Sequence, residues 1–280
     1  MTSTLHAVSC AEVKNERIRL IAVWLSVLYY KIVFGGESMK VIGNSDIGKV
    51  RETNEDAFRF GKYDDGSVWA VVCDGMGGAS GGRLASSIAA DMVSRKIEKS
   101  YNRSMSGVSI ENMLLSAITT ANVTVFDRSS VDSGLKGMGT TIVACVVKGK
   151  TACIAHVGDS RAYIISGNSI KQITKDHSLV QEMLDKGQIT KEQFDNHPIK
   201  NIITRALGVD EEIEIDFDYI DVNENDVIIL CSDGLSGFVR PERILEIYNN
   251  NEFESLCDVL IAAANENGGR DNITAVAVKC

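Results

Sequence analysis

Six short runs rich in valine, isoleucine and alanine limit what this chain can fold into: residues 69–73, 140–147, 151–157, 162–166, 227–231 and 273–278. Each is fenced by turn residues and too short for a helix of ordinary length. They therefore read as strands buried on both faces, which need apolar cover above and below. Lys148-Gly149-Lys150 joins the second run to the third, and Gly158-Asp159-Ser160-Arg161 joins the third to the fourth. These short links predict an antiparallel meander through the middle of the chain and argue against a parallel dinucleotide-binding sheet.

Helices follow from apolar spacing. Leu84, Ile88 and Met92 with Ala85, Ala89, Val93 and Ile97 give one stripe, and Met113, Leu114, Ala117, Ile118, Ala121 and Val125 give a second. Residues 177–186 predict a helix closed by Gly187, and Thr190-Lys191-Glu192-Gln193 has the spacing of a capping box. This polar stretch reads as an inserted surface subdomain. Pro241 opens a further helix toward Asn249, and residues 253–265 supply another that Gly268-Gly269 stops.

The chain has 280 residues, of which 44% are hydrophobic and 24% charged, enough to bury a sizeable core. Its 29 basic and 38 acidic residues leave a net charge of −9, which argues against nucleic acid or anionic lipid as a general partner and leaves acidic groups available for cations. The seven cysteines form no C-x-x-C pair, and four lie inside apolar runs, as free thiols of a reducing cytoplasmic compartment do.

Residues 1–38 differ in character. The apolar stretch 18–34 is interrupted by Arg19 and Lys31, so its uncharged part runs only from residue 20 to residue 30. A spanning helix needs about 20 predominantly apolar residues. We expect an extension outside the folded domain of residues 39–280, with Met39 as a candidate initiator, rather than a membrane anchor or a signal peptide.

Four aspartates stand at the ends of the apolar runs: Asp74 in Cys73-Asp74-Gly75-Met76-Gly77-Gly78, Asp159 in Gly158-Asp159-Ser160-Arg161, Asp233 in Ser232-Asp233-Gly234, and Asp271 in Arg270-Asp271-Asn272. A carboxylate at the rim of a buried strand carries a desolvation cost unless it is paired or holds a cation. Hard oxygen donors without His or Cys pairs suit Mg²⁺ or Mn²⁺. Taken singly, each Asp-Gly is equally a turn, and the residues alone leave both readings open. The glycines of 75–82 do not make a nucleotide loop, because Ser80 stands where G-x-G-x-x-G needs its last glycine. Of the histidines, His156 reads as a core residue and His177 as the one candidate acid.

Seven segments resemble, in order and approximate spacing, the metal-dependent protein phosphatases of type 2C (PPM) in their bacterial form. They are residues 45–57 with Arg51, Glu55 and Asp56, the Asp74 segment, Gly137-Met138-Gly139-Thr140-Thr141, the Asp159 segment, Ile203-Thr204-Arg205-Ala206-Leu207-Gly208, Ser232-Asp233-Gly234 and Gly269-Arg270-Asp271-Asn272. The resemblance implies an α+β fold, a four-layer α/β/β/α sandwich with two antiparallel central sheets flanked by helix pairs. It implies a serine/threonine phosphatase that uses two Mn²⁺ or Mg²⁺ ions and a water between them, with a flap at about residues 177–207. In that frame Asp74 bridges both ions, the Gly75 carbonyl joins one, Asp233 and Asp271 hold the other, Glu55 and Asp56 order water, and Asp159 with Asp233 holds a third ion. Arg51 would grip the substrate phosphate. Phosphorylated proteins are the implied substrates, an opposing Ser/Thr kinase the implied counterpart, and a cytoplasmic monomer the expected form. One departure is Met76, where animal members commonly carry a histidine; methionine has no proton to give a leaving group. A catalytically silent phosphoprotein-binding scaffold and a small-molecule phosphomonoesterase are the alternatives on the same fold.

Overall fold

In the computed structural model the described residues are 39–280, except 79, 196, 200 and the side chain of Asp195. The extension at 1–38 lies outside them. All six residues of strand β3 (Val68–Cys73) are buried, so both of its faces need cover. It lies in a five-stranded antiparallel sheet between β6 (Ile142–Lys148) and β2 (Ala57–Lys62); β7 (Thr151–Val157) and β10 (Asp216–Asp221) complete it in the order β10-β7-β6-β3-β2. The second sheet takes β1 (Lys40–Asp46), β8 (Arg161–Ser166), β9 (Ser169–Gln172), β11 (Val227–Cys231) and β12 (Ile273–Lys279), also antiparallel, in the order β1-β12-β11-β8-β9.

The two-residue side-chain period of a strand sorts these residues into layers. Val68, Ala70 and Val72 of β3 meet Ile228, Leu230, Val276 and Val278 of the other sheet in one cluster. Trp69, Val71 and Cys73 face the opposite way, onto helices α1 (Gly81–Ser100) and α2 (Gly107–Val131). The outer face of the second sheet, with Ile229 and Ala275, lies under α6 (Pro241–Asn250) and α7 (Leu256–Glu266). The result is the expected α/β/β/α sandwich. Along α1 the fully buried line is Ala85, Ala89, Val93 and Ile97, whose small early members let the helix sit close to the sheet.

The expected meander holds only in its first half. β6 and β7 form a hairpin around Gly149, but β7 and β8 belong to different sheets. The chain turns at Gly158, whose φ of +105° lies in the region that favours glycine, and residues 158–160 cross from one sheet to the other. Both edges of β7 are already taken, by β6 and β10, while β11 takes β8. Asp159 therefore sits at the crossing between layers rather than on a hairpin tip.

Residues 177–207 hold two short helices, α3 (Leu179–Asp185) and α4 (Lys191–Asp195). The capping box before α4 is reciprocal: Thr190 N–H donates to Gln193 Oε1 at 2.8 Å and Gln193 N–H to Thr190 Oγ1 at 3.3 Å. The base of this insertion is closed by main-chain bonds, Leu179 N–H to Ile202 O and Thr204 N–H to His177 O, both 2.9 Å. Among the described residues no helix is long and apolar enough to cross a membrane.

Because the inter-sheet layer is the one surface both sheets share, Ile228→Ala, at a side chain with no solvent exposure, is expected to lower unfolding free energy by about 2–5 kcal/mol. Urea denaturation followed by tryptophan fluorescence measures it; a loss below about 1 kcal/mol would mean the layer is not tightly packed.

Candidate functional site

Asp74 is the first residue past β3. Its N–H donates to Thr141 Oγ1 at 3.0 Å, and its carbonyl accepts from Thr140 Oγ1 and Thr141 N–H, both 2.9 Å. The next two residues form the two-residue strand β4 (Gly75–Met76), paired with β5 (Gly139–Thr140). Any Cβ at Gly75 would lie 2.2 Å from the Gly82 carbonyl oxygen and 2.6 Å from that of Glu55, so only glycine fits this approach. Asp233 opens the short helix α5 (Asp233–Ser236) just beyond β11, and Asp271 precedes β12. The antiparallel pairing of β11 with β12, with Cys231 opposite Ala275, places both acids at one end of the sheet. There Gly234 permits another close approach, since a Cβ would lie 1.9 Å from the Asn272 carbonyl oxygen.

One amide gathers the third wall. Asn272 Nδ2 donates to the carbonyls of Ile47 and Thr53, both at 2.9 Å, and its Oδ1 accepts from Glu55 N–H at 2.8 Å. The loop carrying Arg51 and Glu55 is thus tied to the start of β12. Arg51 Nη2 donates to Asp271 Oδ2 at 2.8 Å.

Arg51, Glu55, Asp74, Gly75, Asp159, Asp233 and Asp271 all line one cavity of about 430 Å³. Asp56, the remaining expected residue, does not line it. Its Oδ2 accepts from Ser232 Oγ at 2.8 Å and Thr274 Oγ1 at 2.6 Å, while its Oδ1 is buried without a partner. Ser232, Thr274, Asn272 and Thr141 were not singled out from the sequence. The available signal was an uncharged polar residue interrupting an apolar strand or following its end, and all four are buried here.

His177, the candidate acid, is not in the cavity lining. Its ring stacks on His156 with centroids 4.6 Å apart, its Nδ1 accepts from Gly158 N–H at 3.1 Å, and its Nε2 faces Asp216 at 3.3 Å and Arg205 at 3.1 Å. Burial, then His156 and Arg205, hold its pKa below the ordinary value. His156, His177 and Asp216 are spaced closely enough to hold a metal, but the Arg205 guanidinium already occupies that corner, 2.7 Å from Asp216.

The electrostatics of the cleft are those of carboxylates short of cations. Asp74 is pushed well above the usual carboxylate range by burial and then by Asp56, Asp233, Asp159 and Asp271. Asp159 is raised by burial and by Asp233 and Asp176. Burial raises Asp56 to about 7 against the two hydroxyl donors that favour its charged form. Glu55 is raised by burial, against the pull of Arg51. The donors facing the cavity are hard oxygens, with no histidine or cysteine in the lining among the described residues, and an acceptor at Asp56 is left unsatisfied. Divalent oxygen-preferring cations fit that set.

Carboxylates of this kind beside an arginine, at the seam of a two-sheet sandwich, are chemically suited to divalent cations together with an anion such as a phosphate. The Protein phosphatase 2C family profile matches residues 43–276. A relative in Listeria welshimeri, serine/threonine phosphatase stp, is 38% identical over 237 residues, covering 84% of this chain and 93% of that one. The crystal structure of serine/threonine phosphatase Stp1 from Staphylococcus aureus is similar with a TM-score of 0.82 at 34% identity, over 88% of this chain and 96% of that one. The PstP catalytic domain in complex with two manganese ions has a TM-score of 0.75 at 30% identity, over 86% and 97%. The chain belongs to the protein phosphatase 2C family.

A pH dependence follows from Asp56. The unfolded chain gives up this proton near the ordinary aspartate value of 3.8 and the folded chain only near 7, so between those values the unfolded state binds fewer protons and folding stability falls as pH rises. In chelator, the melting temperature is expected to drop from pH 5 to pH 8. Asp56→Asn is expected to flatten that slope without abolishing it, since Asp74 and Asp159 remain; calorimetry of both proteins checks it, and an identical slope would remove Asp56 as a source.

Proposed function

We propose that the protein hydrolyses phosphoserine and phosphothreonine in other proteins by direct attack of water, reversing the action of a Ser/Thr kinase in the cytoplasm. The chain is a phosphatase of the 2C type, and the observation that carries the finer reading is convergence. Carboxylates up to about two hundred residues apart in sequence, on loops at the ends of both sheets, line one cleft that also holds an arginine. The six cysteines among the described residues are all free thiols, as a reducing compartment requires.

Asp74 would hold two divalent ions, Mn²⁺ or Mg²⁺, with the Gly75 carbonyl on one and Asp233 and Asp271 on the other. Asp159 with Asp233 would take a third, and Glu55 and Asp56 would orient water. When bound, such ions supply a water activated between them and offset charge on the phosphoryl oxygens. Ser232 and Thr274 fix the Asp56 carboxylate through one oxygen, so its other oxygen keeps a set direction. Arg51 holds phosphate by exchanging its bond to Asp271 for a forked pair to phosphoryl oxygens. Arg51 is half exposed, so little is lost in breaking the present ion pair. Among the described residues no histidine lines the cleft and Met76 cannot donate, so the leaving-group proton would come from water in the site or from another group.

Phosphate release from a phosphothreonine peptide with added Mn²⁺ tests this. Wild type is expected to turn over, and Asp233→Ala to lose at least about 100-fold in kcat/KM, since groups that only support a ligand already cost 10–100-fold. Inert wild-type protein in excess Mn²⁺ would favour a silent scaffold. Arg51→Ala is expected to raise KM about tenfold with a smaller change in kcat, and Arg51→Lys to restore only part, because lysine lacks the fork. Steady-state kinetics on the same peptide separates the two constants.

A further inference from the structure

His177 is buried outside the cleft, yet its main chain and both ring nitrogens are engaged, and they reach three separate parts of the chain. Its N–H donates to Gly158 O at 2.9 Å, and its Nδ1 accepts from Gly158 N–H at 3.1 Å. One residue thus holds both polar groups of the Gly158 main chain. The His177 carbonyl accepts from Thr204 N–H at 2.9 Å, across the base of the 177–207 insertion. Its Nε2 faces Asp216 Oδ2 at 3.3 Å, at the start of the edge strand β10.

The roles of the two nitrogens follow from these partners. A neutral imidazole has one acceptor nitrogen; with the Gly158 amide on Nδ1, the ring proton sits on Nε2, where Asp216 can accept it. Arg205 Nη1 lies beside Nε2 but is itself bonded to Asp216 Oδ1 at 2.7 Å, so ring and guanidinium share that carboxylate. Burial, then His156 and Arg205, keep the pKa low, and the ring stays neutral with Nδ1 free to accept.

Gly158 is the residue before Asp159. It packs so closely on Thr141 that an added Cβ would lie 2.6 Å from Thr141 Cγ2. On the far side of Asp159, Ser160 Oγ and Thr141 Oγ1 are hydrogen-bonded at 2.7 Å, and Thr141 Oγ1 also accepts the Asp74 N–H at 3.0 Å. Asp159 is therefore fixed through both neighbours, by His177 through Gly158 and by Thr141 through Ser160. Its carboxyl is buried with Asp233 and Asp176 as like-charged neighbours, where its direction decides what it can hold.

We propose that His177 is a positioning residue for a cation site at Asp159: its Nδ1 holds the Gly158 amide and so sets the direction of the Asp159 carboxylate in the cleft. The proposal rests on the reading above in which Asp159 with Asp233 takes a third divalent ion. It gives the one histidine that the sequence marked as an acid a different task, performed without touching substrate.

Asparagine and glutamine separate the two ring nitrogens, because asparagine places an acceptor where Nδ1 stands and glutamine reaches toward Nε2 instead. The full chain is titrated with Mn²⁺ as wild type, His177→Asn, His177→Gln and Asp159→Asn, free Mn²⁺ being read by electron paramagnetic resonance, with p-nitrophenyl phosphate turnover of wild type measured alongside. The Asp159 site is the one that Asp159→Asn removes. His177→Gln is expected to weaken that site about tenfold and leave the others unchanged, while His177→Asn stays within about threefold of wild type. Added to Asp159→Asn, His177→Gln is expected to change Mn²⁺ binding no further. Wild-type binding in His177→Gln, weakening at every site, or a loss in His177→Asn as large as in His177→Gln overturns the positioning role. An Asp159→Asn protein that binds as many ions as wild type overturns the third-ion reading and this proposal with it, and turnover by wild type then leaves the phosphatase reading standing.

Discussion

Like charges brought together out of water dominate this molecule. Asp74, Asp159, Asp233 and Asp271 line one cleft at the ends of buried strands, and the Arg51 salt bridge to Asp271 leaves Asp74 and Asp159 raised by burial and by their acidic neighbours. Nothing in local packing favours such an arrangement. The rest of the fold holds it in place through rigid pieces: two sheets fixed by a shared apolar layer, glycines that admit backbone where no side chain fits, and buried hydroxyl and amide groups that set the loops.

Asn272 shows how few side chains do this positioning. Its amide joins the Ile47 and Thr53 carbonyls to the Glu55 N–H, so the loop bearing Arg51, which leads into β2, is also tied to the start of β12. Ser232 and Thr274 act similarly on Asp56, one from the end of β11 and one from within β12. Asp56 is thus held through one oxygen, and its other oxygen is buried without a partner among the described residues.

The parts of the fold legible in the sequence were those with continuous apolar runs. Every run marked as a strand is one, and each lies inside a sheet. In the two five-stranded sheets the unmarked strands, β1, β2, β9 and β10, are the four edges. Edge strands need cover on fewer sides, so their sequences, such as Asp216–Asp221 with Asp216 and Asp218 alternating with Phe217 and Tyr219, carry no continuous apolar run. The crossing at 158–160 was hidden for a different reason: a short glycine-containing link between two apolar strands looks the same whether it closes a hairpin or changes layers. The acidic positions stood out because a charge beside a buried strand contradicts its surroundings, whereas Ser232, Thr274 and Asn272 are ordinary polar residues whose importance depends on what lies opposite them.

The change of layer at Gly158 has a consequence for how the protein would register divalent cations. Asp74 follows a strand of one sheet, Asp233 and Asp271 flank strands of the other, and Asp159 stands on the bridge between them. If divalent cations were held by acids from both sheets, as proposed, their ligation energy would add to what holds the two halves together. Cellular supply of such ions would then set the resistance of the whole molecule to heat and proteolysis along with its turnover.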